Sequence, residues 1–312
     1  MINPPYGIIW NRLIQGMVIP FLGAGASIVG SIDSKEKPEW NPEHPLFLPS
    51  GKQLAKALAN ESSFPSKTNR DLEDLAKVAS YYSECAGGRP ALRGRLRQII
   101  NHDFKYGKIH ELLSRIPAAL LIVVTNYDTL LEQAFQEAGK PYDLVVYMGY
   151  RTDFANAILW WPHGEDQPRI ILPEELDINL EKTTVIFKMH GTVIPETAVW
   201  DNFVISEEDY IEFLSRMTRN SAIPAIFYQH FAKRQFLFLG YSLNDWNLRV
   251  ILKNLSKCII LQSSKSKPKE EMQPSWAIQV KPSALECKLW EKRNVEIYNV
   301  RIDDFVDELK KT

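Results

Sequence analysis

Four short apolar runs along the chain are each followed directly by small or polar residues. The runs cover residues 17–22, 119–124, 185–189 and 236–239, and their largely apolar character is typical of strands buried on both faces of a parallel sheet. The segments that follow them are Gly23-Ala24-Gly25-Ala26-Ser27, Thr125-Asn126-Tyr127-Asp128, His190-Gly191 and Gly240-Tyr241-Ser242. The carboxyl ends of parallel strands meet at one edge of a sheet, where open α/β folds bind ligands. The pattern therefore predicts one ligand site made of four segments.

Helical patterns fill most of the chain between the first two runs. Residues 30–50 contain four prolines, which disfavour regular helix and central strand, so we expect a long loop there. Helices are predicted at residues 51–60, 71–85, 90–102 and 108–115. The second is expected to begin at Asp71, because apolar residues follow it at the spacing of one buried helix face. Together these helices predict an inserted helical module at about residues 51–116.

The remaining elements complete a single α/β domain over residues 1–312. Asp128 occupies an N-cap position for a helix that Gly139 ends, and Ser206 begins a helix with acidic residues in its first turn. Further predictions are a strand at 142–148, a small β-rich or irregular insert at about 149–182, a helix at 243–255 and two final strand–helix units. The predicted fold class is a Rossmann-like parallel sheet with helices on both faces, plus the helical module and the small insert.

Composition and cysteine usage indicate a globular cytoplasmic protein without a membrane partner. Hydrophobic residues make up 45% and charged residues 24% of the 312 residues, and no apolar run reaches the ~20 residues of a membrane span. The first ten residues lack the basic and apolar regions of a signal peptide. Cys85, Cys258 and Cys287 are odd in number and widely separated, so we expect no disulfide framework.

The charge balance disfavours direct nucleic-acid binding. The formal net charge is −1, whereas a non-specific nucleic-acid surface needs a marked basic excess. One local basic patch lies on a predicted helix and consists of Arg89, Arg93, Arg95 and Arg97. We favour a solvated or interface face for this patch, and a phosphate or nucleic-acid contact is the alternative.

The glycines after the first run are typical of a turn that holds a pyrophosphate. Glycines at positions 23 and 25 allow positive φ and let the backbone approach a pyrophosphate, with free N–H groups pointing at the anion. The common dinucleotide fingerprint would place a third glycine where the chain has Ile28, so a hydride-transfer enzyme is disfavoured. A tight turn without any ligand is the alternative interpretation for this segment alone.

Taken together, the four segments resemble the motifs of the sirtuin-like superfamily, which binds and cleaves NAD. The resemblance covers most of the chain from Val18 onward and is greater to the bacterial sirtuin-like NAD hydrolases of antiphage defence than to protein deacylases. It implies NAD as the substrate. The residues that it implies for NAD binding are Gly23, Ala24, Gly25, Ser27, Thr125, Asp128, Gly240 and Ser242.

The resemblance also implies roles for two catalytic side chains. Asn126 would hold the ribose hydroxyls or a water molecule, while Asp128 would hold the nicotinamide carboxamide or simply cap its helix. His190 would be the base that acts on the ribose, a role that suits imidazole because its ordinary pKa of ~6.5 lies near working pH. His163 also precedes a glycine, but it follows two tryptophans and a proline rather than a buried run, so His190 is favoured. Asn244 and Asp245 are weaker candidates for ribose contact or helix capping.

Two features of protein-deacylating sirtuins are missing from the sequence. Three scattered cysteines cannot supply the two Cys-x-x-Cys pairs of a zinc module, so we expect no metal. The Pro-Asp-Phe-Arg run that usually follows the first motif is also absent. We therefore predict an NAD glycohydrolase that forms nicotinamide and ADP-ribose. A zinc-free deacylase or ADP-ribosyltransferase and a non-catalytic NAD or ADP-ribose sensor remain alternatives.

Regulation is expected because an uncontrolled NAD hydrolase would kill its own cell. Only residues 303–312 follow the last predicted strand, which is too short for a sensor domain. We therefore expect a homo-oligomer, a separate regulatory or sensor protein, or a ligand-controlled loop at residues 30–50. The helical module is the favoured contact surface.

Overall fold

The computed structural model describes residues 3–28, 40–149, 156–219, 222–241, 250, 252–253 and 274–312. The strands in these ranges are β1 (Val18–Leu22), β2 (Leu121–Val124), β3 (Asp143–Tyr147), β4 (Ile158–Trp161), β5 (Arg169–Ile171), β6 (Val185–Lys188), β7 (Gly191–Thr192), β8 (Asn202–Phe203), β9 (Gln235–Leu239), β10 (Ser275–Ile278) and β11 (Val295–Tyr298). The helices are α1 (Tyr6–Ile14), α2 (Ala24–Ile28), α3 (Gly51–Glu61), α4 (Asn69–Leu72), α5 (Leu75–Cys85), α6 (Gly88–Ile100), α7 (Lys108–Ser114), α8 (Leu130–Glu137), α9 (Glu207–Thr218), α10 (Ala225–Lys233), α11 (Ala284–Glu291) and α12 (Ile302–Leu309). Single 3-10 turns lie at Pro173–Glu175 and Ala198–Trp200.

The central sheet has nine strands in the order β11-β10-β9-β1-β2-β6-β3-β4-β5. The seven strands from β11 to β3 run parallel, and β4 and β5 add an antiparallel edge. The four strands that precede the polar segments are neighbours at its centre, since Leu22 pairs with both Val124 and Leu239, and Val124 pairs with Lys188. The predicted convergence of the four segments at one edge of a parallel sheet is confirmed.

Helices cover both faces of this sheet, as predicted. Alternate residues of β1 point to opposite faces, so that Leu22 and Phe21 belong to two separate apolar clusters. The first cluster includes side chains of α1, α7, α8 and α12, and the second includes side chains of α9, α10 and α11. In the described part of the chain, none of the helices combines the length and the apolar stretch needed to cross a bilayer.

The helical module forms a third apolar cluster over the polar edge of the sheet. Its core side chains come from α3, α5 and α6, and they pack against Leu130, Val193, Phe203 and Ile205. Residues 191–203 include the two-stranded sheet of β7 and β8, which follows the third polar segment. The module therefore lies directly on the segments that follow β2 and β6.

The predicted helix at residues 71–85 is wrong in its start. Thr68 caps the short α4 by accepting a hydrogen bond from the Asp71 backbone, and the chain then breaks before α5. Asp74 is the N-cap of α5, because its carboxylate accepts from the Lys77 backbone N–H at 3.2 Å. Two possible capping acids lie three residues apart, and apolar periodicity alone selected the wrong one.

Within residues 156–182, β4 and β5 add two strands to the edge of the main sheet. β4 pairs antiparallel with β3, and β5 pairs antiparallel with β4. Trp160 is fixed there because its indole N–H donates to the Asp143 carboxylate at 2.9 Å. The β-rich character that we predicted is present, but its partner is the edge of the central sheet. The predicted helix at 243–255 falls largely outside the described residues.

Candidate active site

The polar segments open into a cleft of about 1220 Å³ between the sheet edge and the helical module. This volume exceeds the ~300–1,000 Å³ of ordinary small-molecule pockets, and it can therefore accommodate a dinucleotide. The sequence-predicted site residues that line it are Ala24, Gly25, Ser27, Thr125, Asn126, Asp128, His190 and Gly240. Gly23 adds its carbonyl group, as described below, and Ser242 lies outside the described residues, as do Asn244 and Asp245.

The two glycine turns pack directly on one another. The Gly23 N–H donates to the Leu239 carbonyl and the Gly25 N–H donates to the Gly240 carbonyl, both at 2.9 Å. Gly240 has a φ of +76°, and a Cβ on it would lie 2.1 Å from the Ala26 nitrogen. Only glycine fits this position, because an L side chain would be strained as well as in collision with backbone.

The prediction of free N–H groups at Gly23 and Gly25 is wrong, and neither residue uses the positive φ that glycine allows. Neither residue is among the glycines with positive φ, and their N–H groups are used by the end of β9 rather than free. A Cβ on Gly25 would lie 2.8 Å from the Gly240 Cα, so this glycine provides close packing between two turns. The requirement for glycine arises from tertiary packing, which local sequence does not reveal.

Asn126 begins a buried chain of hydrogen bonds. Its Nδ2 donates to the Gly23 carbonyl at 3.0 Å and to Ser27 Oγ at 2.7 Å. Ser27 Oγ in turn donates to Asp128 Oδ2 at 2.9 Å. Both N–H bonds of the Asn126 amide are therefore used inside the protein, whereas its Oδ1 has no partner among the described residues. Asn126 lines the cleft, and the group that it has left for a ligand is a hydrogen-bond acceptor.

Asp128 supports the start of α8 from one residue before the cap. The N-cap is Thr129, which makes no side-chain capping bond, so the predicted N-cap at Asp128 is wrong by one position. Asp128 Oδ1 nevertheless accepts from the Leu130 backbone N–H at 3.1 Å. The carboxylate thus contributes to the helix start and to the hydrogen-bond chain of Asn126 at the same time.

His190 is buried with one ring nitrogen unused. Its ring contacts Tyr210 and Phe213 edge to face, with centroid separations of 5.4 and 5.5 Å, and its Nε2 is buried without a hydrogen-bond partner among the described residues. Burial among these rings lowers the pKa of His190 to about 3, so the imidazole is neutral at physiological pH. His190 lines the cleft, and its imidazole is neutral, which is the protonation state that a general base needs.

The backbone around His190 is fixed by a close turn. The His190 carbonyl accepts from the Val204 N–H at 2.9 Å. Gly191 has a φ of +89°, and a Cβ on it would lie 2.0 Å from the Asn202 carbonyl oxygen. This glycine is required by β7 and β8, whose pairing brings Asn202 against the strand end that carries His190. His163, by contrast, is exposed. Its backbone N–H donates to the carboxylate of Asp143, which begins β3 at the opposite end of the sheet.

Tyr241 is a site residue to which sequence reasoning assigned no role. Its hydroxyl lies 2.7 Å from Thr125 Oγ1 and donates to the Leu22 carbonyl at 3.0 Å, and its ring atoms lie 2.9 Å from where a Cβ on Gly23 would be. Tyr241 thereby joins the first, second and fourth segments. Its place inside the Gly240-Tyr241-Ser242 motif was a signal available in the sequence.

Several cationic side chains on the cleft wall were also missed. Lys52, Arg70, Lys281 and Arg301 line the cleft, and they come from the helical module and from the ends of β10 and β11. Lys52 pairs with Glu73 at 2.6 Å, and Arg70, Lys281 and Arg301 have no ion pair among the described residues. Isolated basic residues in loops and short helices carry no sequence signal for an anionic ligand.

The arginines of α6 hold the module on the rest of the protein. Arg89 pairs with Asp209 at 2.7 Å, and Arg97 pairs with the buried Asp201 at 2.9 Å. Arg95 pairs with Glu61 of α3 at 2.7 Å. These contacts support the interface interpretation of the basic patch. Within the described ranges there is no group of three or more histidine, cysteine, aspartate or glutamate side chains that could hold a metal ion.

Comparisons with known proteins show the family of this chain. A family model described as SIR2-like domain matches residues 120–298, which is more than half of the chain and includes three of the four polar segments. A relative named NAD(+) hydrolase ThsA, from Bacillus cereus, is 27% identical over 189 residues, which are 57% of this chain and 31% of the relative. A protein of the same name from Acinetobacter baumannii is 25% identical over 215 residues, 67% of this chain and 37% of the relative.

A third relative, named Defense-associated sirtuin 2, comes from Bacillus subtilis. It is 22% identical over 239 residues, which are 76% of this chain and 19% of the relative. The aligned segments thus span about a fifth to just over a third of these curated relatives.

Proposed function

This chain belongs to the SIR2-like domain family, and from that premise we propose that it hydrolyses NAD to nicotinamide and ADP-ribose. The observation that carries the proposal is the placement of Asn126, with its Oδ1 acceptor, and of the neutral His190 side chain on one cleft of dinucleotide size. The names of the relatives, which include NAD(+) hydrolase, support the same chemistry.

The proposed reaction suits a site that offers positioning rather than a strong nucleophile. Nicotinamide leaves as a neutral pyridine, and the ribose develops oxocarbenium character. The enzyme must hold the ribose, place a water molecule and stabilise positive charge. In this proposal Asn126 Oδ1 accepts a hydrogen bond from a ribose hydroxyl or from the water. An acceptor oxygen also carries partial negative charge, which favours the cationic transition state.

His190 acts as the base in this proposal. Its imidazole is neutral, and it takes a proton from a ribose hydroxyl as the glycosidic bond breaks. Asp128 accepts from the carboxamide N–H₂ of nicotinamide through the lone pairs that Ser27 and Leu130 leave free. The cations on the cleft wall, Arg70, Lys281 and Arg301, offset the charge of the pyrophosphate.

The physiological role that we propose is NAD depletion in antiphage defence. One relative is named as a defence-associated sirtuin. An NAD hydrolase must be inactive until it is needed, so its activity would be released by a trigger, by self-association or by a separate sensor protein. The helical module is the proposed contact surface, because it packs on the segments that carry Asp128 and His190.

An NAD-consumption assay with and without an acylated peptide tests the proposed reaction. Peptide-independent release of equal amounts of nicotinamide and ADP-ribose is expected over a range of protein concentrations. Formation of acyl-ADP-ribose would instead identify a deacylase, and a protein-bound label from ³²P-NAD would identify a transferase. Binding of NAD without any turnover, under conditions in which the chain is folded and assembled, would identify a sensor.

A further inference from the structure

Lys188 places an ammonium group inside the core directly beneath the candidate site. It is the last residue of β6 and lies two residues before His190, and its side chain is fully buried. Its Nζ donates to the backbone carbonyl of Asp128 and lies 3.2 Å from Oε1 of the buried Glu132 on α8. Both partners therefore belong to the chain segment that begins with the second polar motif.

A buried ion pair of this kind is not the most stable way to fill the position. Removing an ammonium and a carboxylate from water costs several kcal/mol for each ion, and apolar residues of similar volume are often equally stable or better. Ile186, which lies on the same face of β6 as Lys188, is apolar and belongs to the first apolar cluster. The contact that an apolar side chain could not replace is the hydrogen bond from Lys188 to the Asp128 carbonyl.

That hydrogen bond connects to Asn126 through a continuous series of contacts. Lys188 fixes the Asp128 main chain, and the Asp128 carboxylate accepts from Ser27 Oγ at 2.9 Å. Ser27 Oγ accepts from Asn126 Nδ2 at 2.7 Å. These contacts determine which end of the Asn126 amide faces the cleft, because Nδ2 is held inside and Oδ1 is left for a ligand.

We propose that Lys188 is a positioning residue, which holds Asp128 and Ser27 so that Asn126 presents its carbonyl oxygen to the cleft. The kinetic part of this inference rests on the proposed NAD hydrolysis. If the hydrogen bonds are broken, the amide can rotate by half a turn and present N–H₂, which cannot accept from water or from a ribose hydroxyl. Such a change impairs the chemical step, while the rest of the dinucleotide still binds.

The test compares the double variant Lys188→Met/Glu132→Gln with the single variant Glu132→Gln. The double variant removes both charges together, so it leaves no unpaired ion in the core. The single variant keeps the Lys188 nitrogen as a donor to Asp128 but leaves its ammonium without a carboxylate, so it is the control for loss of the ion pair alone. Both are first compared with the unmodified chain in thermal unfolding, which identifies any general loss of structure.

A positioning role predicts a specific kinetic pattern. The double variant is expected to lose roughly 10- to 100-fold in kcat for nicotinamide release, with KM for NAD changed by less than about threefold, since small misplacements have effects of this size. Glu132→Gln alone is expected to stay within about threefold of the unmodified chain in both constants. Wild-type kcat in the double variant would overturn the proposal, as would an equal loss in Glu132→Gln.

A second measurement does not depend on turnover. The side-chain N–H₂ signal of Asn126, assigned by its loss in Asn126→Asp, is followed in protein labelled with ¹⁵N-asparagine. Slow hydrogen exchange is expected in the unmodified chain and in Glu132→Gln, and exchange at least tenfold faster is expected in the double variant. Unchanged protection would overturn the positioning role even if the chain proves not to hydrolyse NAD, and altered protection without hydrolysis would overturn only the proposed function.

Discussion

The backbone N–H of Gly25 donates to the carbonyl of Gly240 at 2.9 Å, which joins the turn after β1 to the turn after β9. The two residues are 215 positions apart in the sequence, yet each occupies space that a side chain on the other would need. The floor of the cleft is therefore built from two turns in direct backbone contact. Its shape depends on the absence of Cβ atoms at both positions.

Gly240→Ala is expected to destabilise the protein strongly and to abolish NAD binding. The new Cβ would meet the Ala26 nitrogen at 2.1 Å, in addition to the strain of a φ of +76°. Gly139→Ala is the matched control, because Gly139 also has a positive φ of +62° but nothing within 4 Å of its Cβ position. Strain alone costs about 1–2 kcal/mol, and Gly240→Ala should exceed that value clearly in urea unfolding. Equal losses in the two variants would show that the close packing contributes nothing.

The positions of the polar segments could be predicted from sequence because buried parallel strands are short, continuous apolar runs. Residues 119–124 and 236–239 have no alternation, and the structure places β2 and β9 there in the centre of the sheet. The start of α5 could not be predicted, because Asp71 and Asp74 are both possible capping residues and only the real backbone path selects one.

The internal contacts of the site depend on tertiary structure, so most of them could not be predicted from the sequence. The sequence does not show that Gly25 and Gly240 must pack against each other, because this contact joins two turns that are far apart in the chain. Lys188 was different, because a lysine inside an otherwise apolar run was visible in the sequence. A charged residue in a buried strand must have a partner, and that rule alone could have drawn attention to the position.

Asn126→Asp is expected to lower nicotinamide release about as much as Asn126→Ala, by ~10²-fold or more. Aspartate has the same shape, but it cannot donate to the Gly23 carbonyl or to Ser27 Oγ, where Asn126 now makes bonds of 3.0 and 2.7 Å. It also brings a second carboxylate close to Asp128, which is unfavourable. Single-turnover kinetics at saturating NAD measure the chemical step directly. A near-normal rate in Asn126→Asp would show that the amide N–H₂ group is not needed.

Acid is expected to destabilise the folded chain through its two buried histidines. Burial lowers the pKa of His190 to about 3 and that of His110 to about 4, whereas both have a pKa near ~6.5 in the unfolded chain. Below that pH the unfolded chain takes up protons that the folded chain does not. The free energy of unfolding therefore keeps its full value above about pH 6.5. It decreases as the pH falls towards 4, by roughly 1 kcal/mol per pH unit for each histidine.

Urea unfolding at a series of pH values checks this expectation. His190→Phe should reduce the slope of unfolding free energy against pH between 6.5 and 4, since Tyr210 and Phe213 already form an aromatic environment for the ring. An unchanged slope in His190→Phe would mean that His190 takes up a proton in the folded state.

Arg97→Gln is expected to loosen the helical module from the segment that carries His190. Arg97 pairs at 2.9 Å with Asp201, whose side chain is fully buried and whose Oδ1 also accepts from the Ile194 N–H. Removing the arginine leaves that carboxylate without its cation, and losses of about 3–5 kcal/mol are usual when one partner of a buried pair is removed. Arg97 is itself 22% exposed, so we expect the free energy of unfolding to fall by about 2–3 kcal/mol, near or below the lower end of that range.

Arg95→Gln provides the comparison, because Arg95 lies on the same helix but pairs with Glu61 and Glu43, which are 29% and 70% exposed. Neither acid is fully buried as Asp201 is, so water can solvate both carboxylates after Arg95 is removed and a loss of only about 1 kcal/mol is expected. Hydrogen exchange of the backbone around β7 and β8 would show whether Arg97→Gln affects the turn at Gly191. If the module sets the position of His190, exchange there rises in Arg97→Gln and stays low in Arg95→Gln. Equal exchange in both variants would mean that β7 and β8 hold His190 without help from α6. A regulatory partner that binds the module could then not change the position of the candidate base through this ion pair.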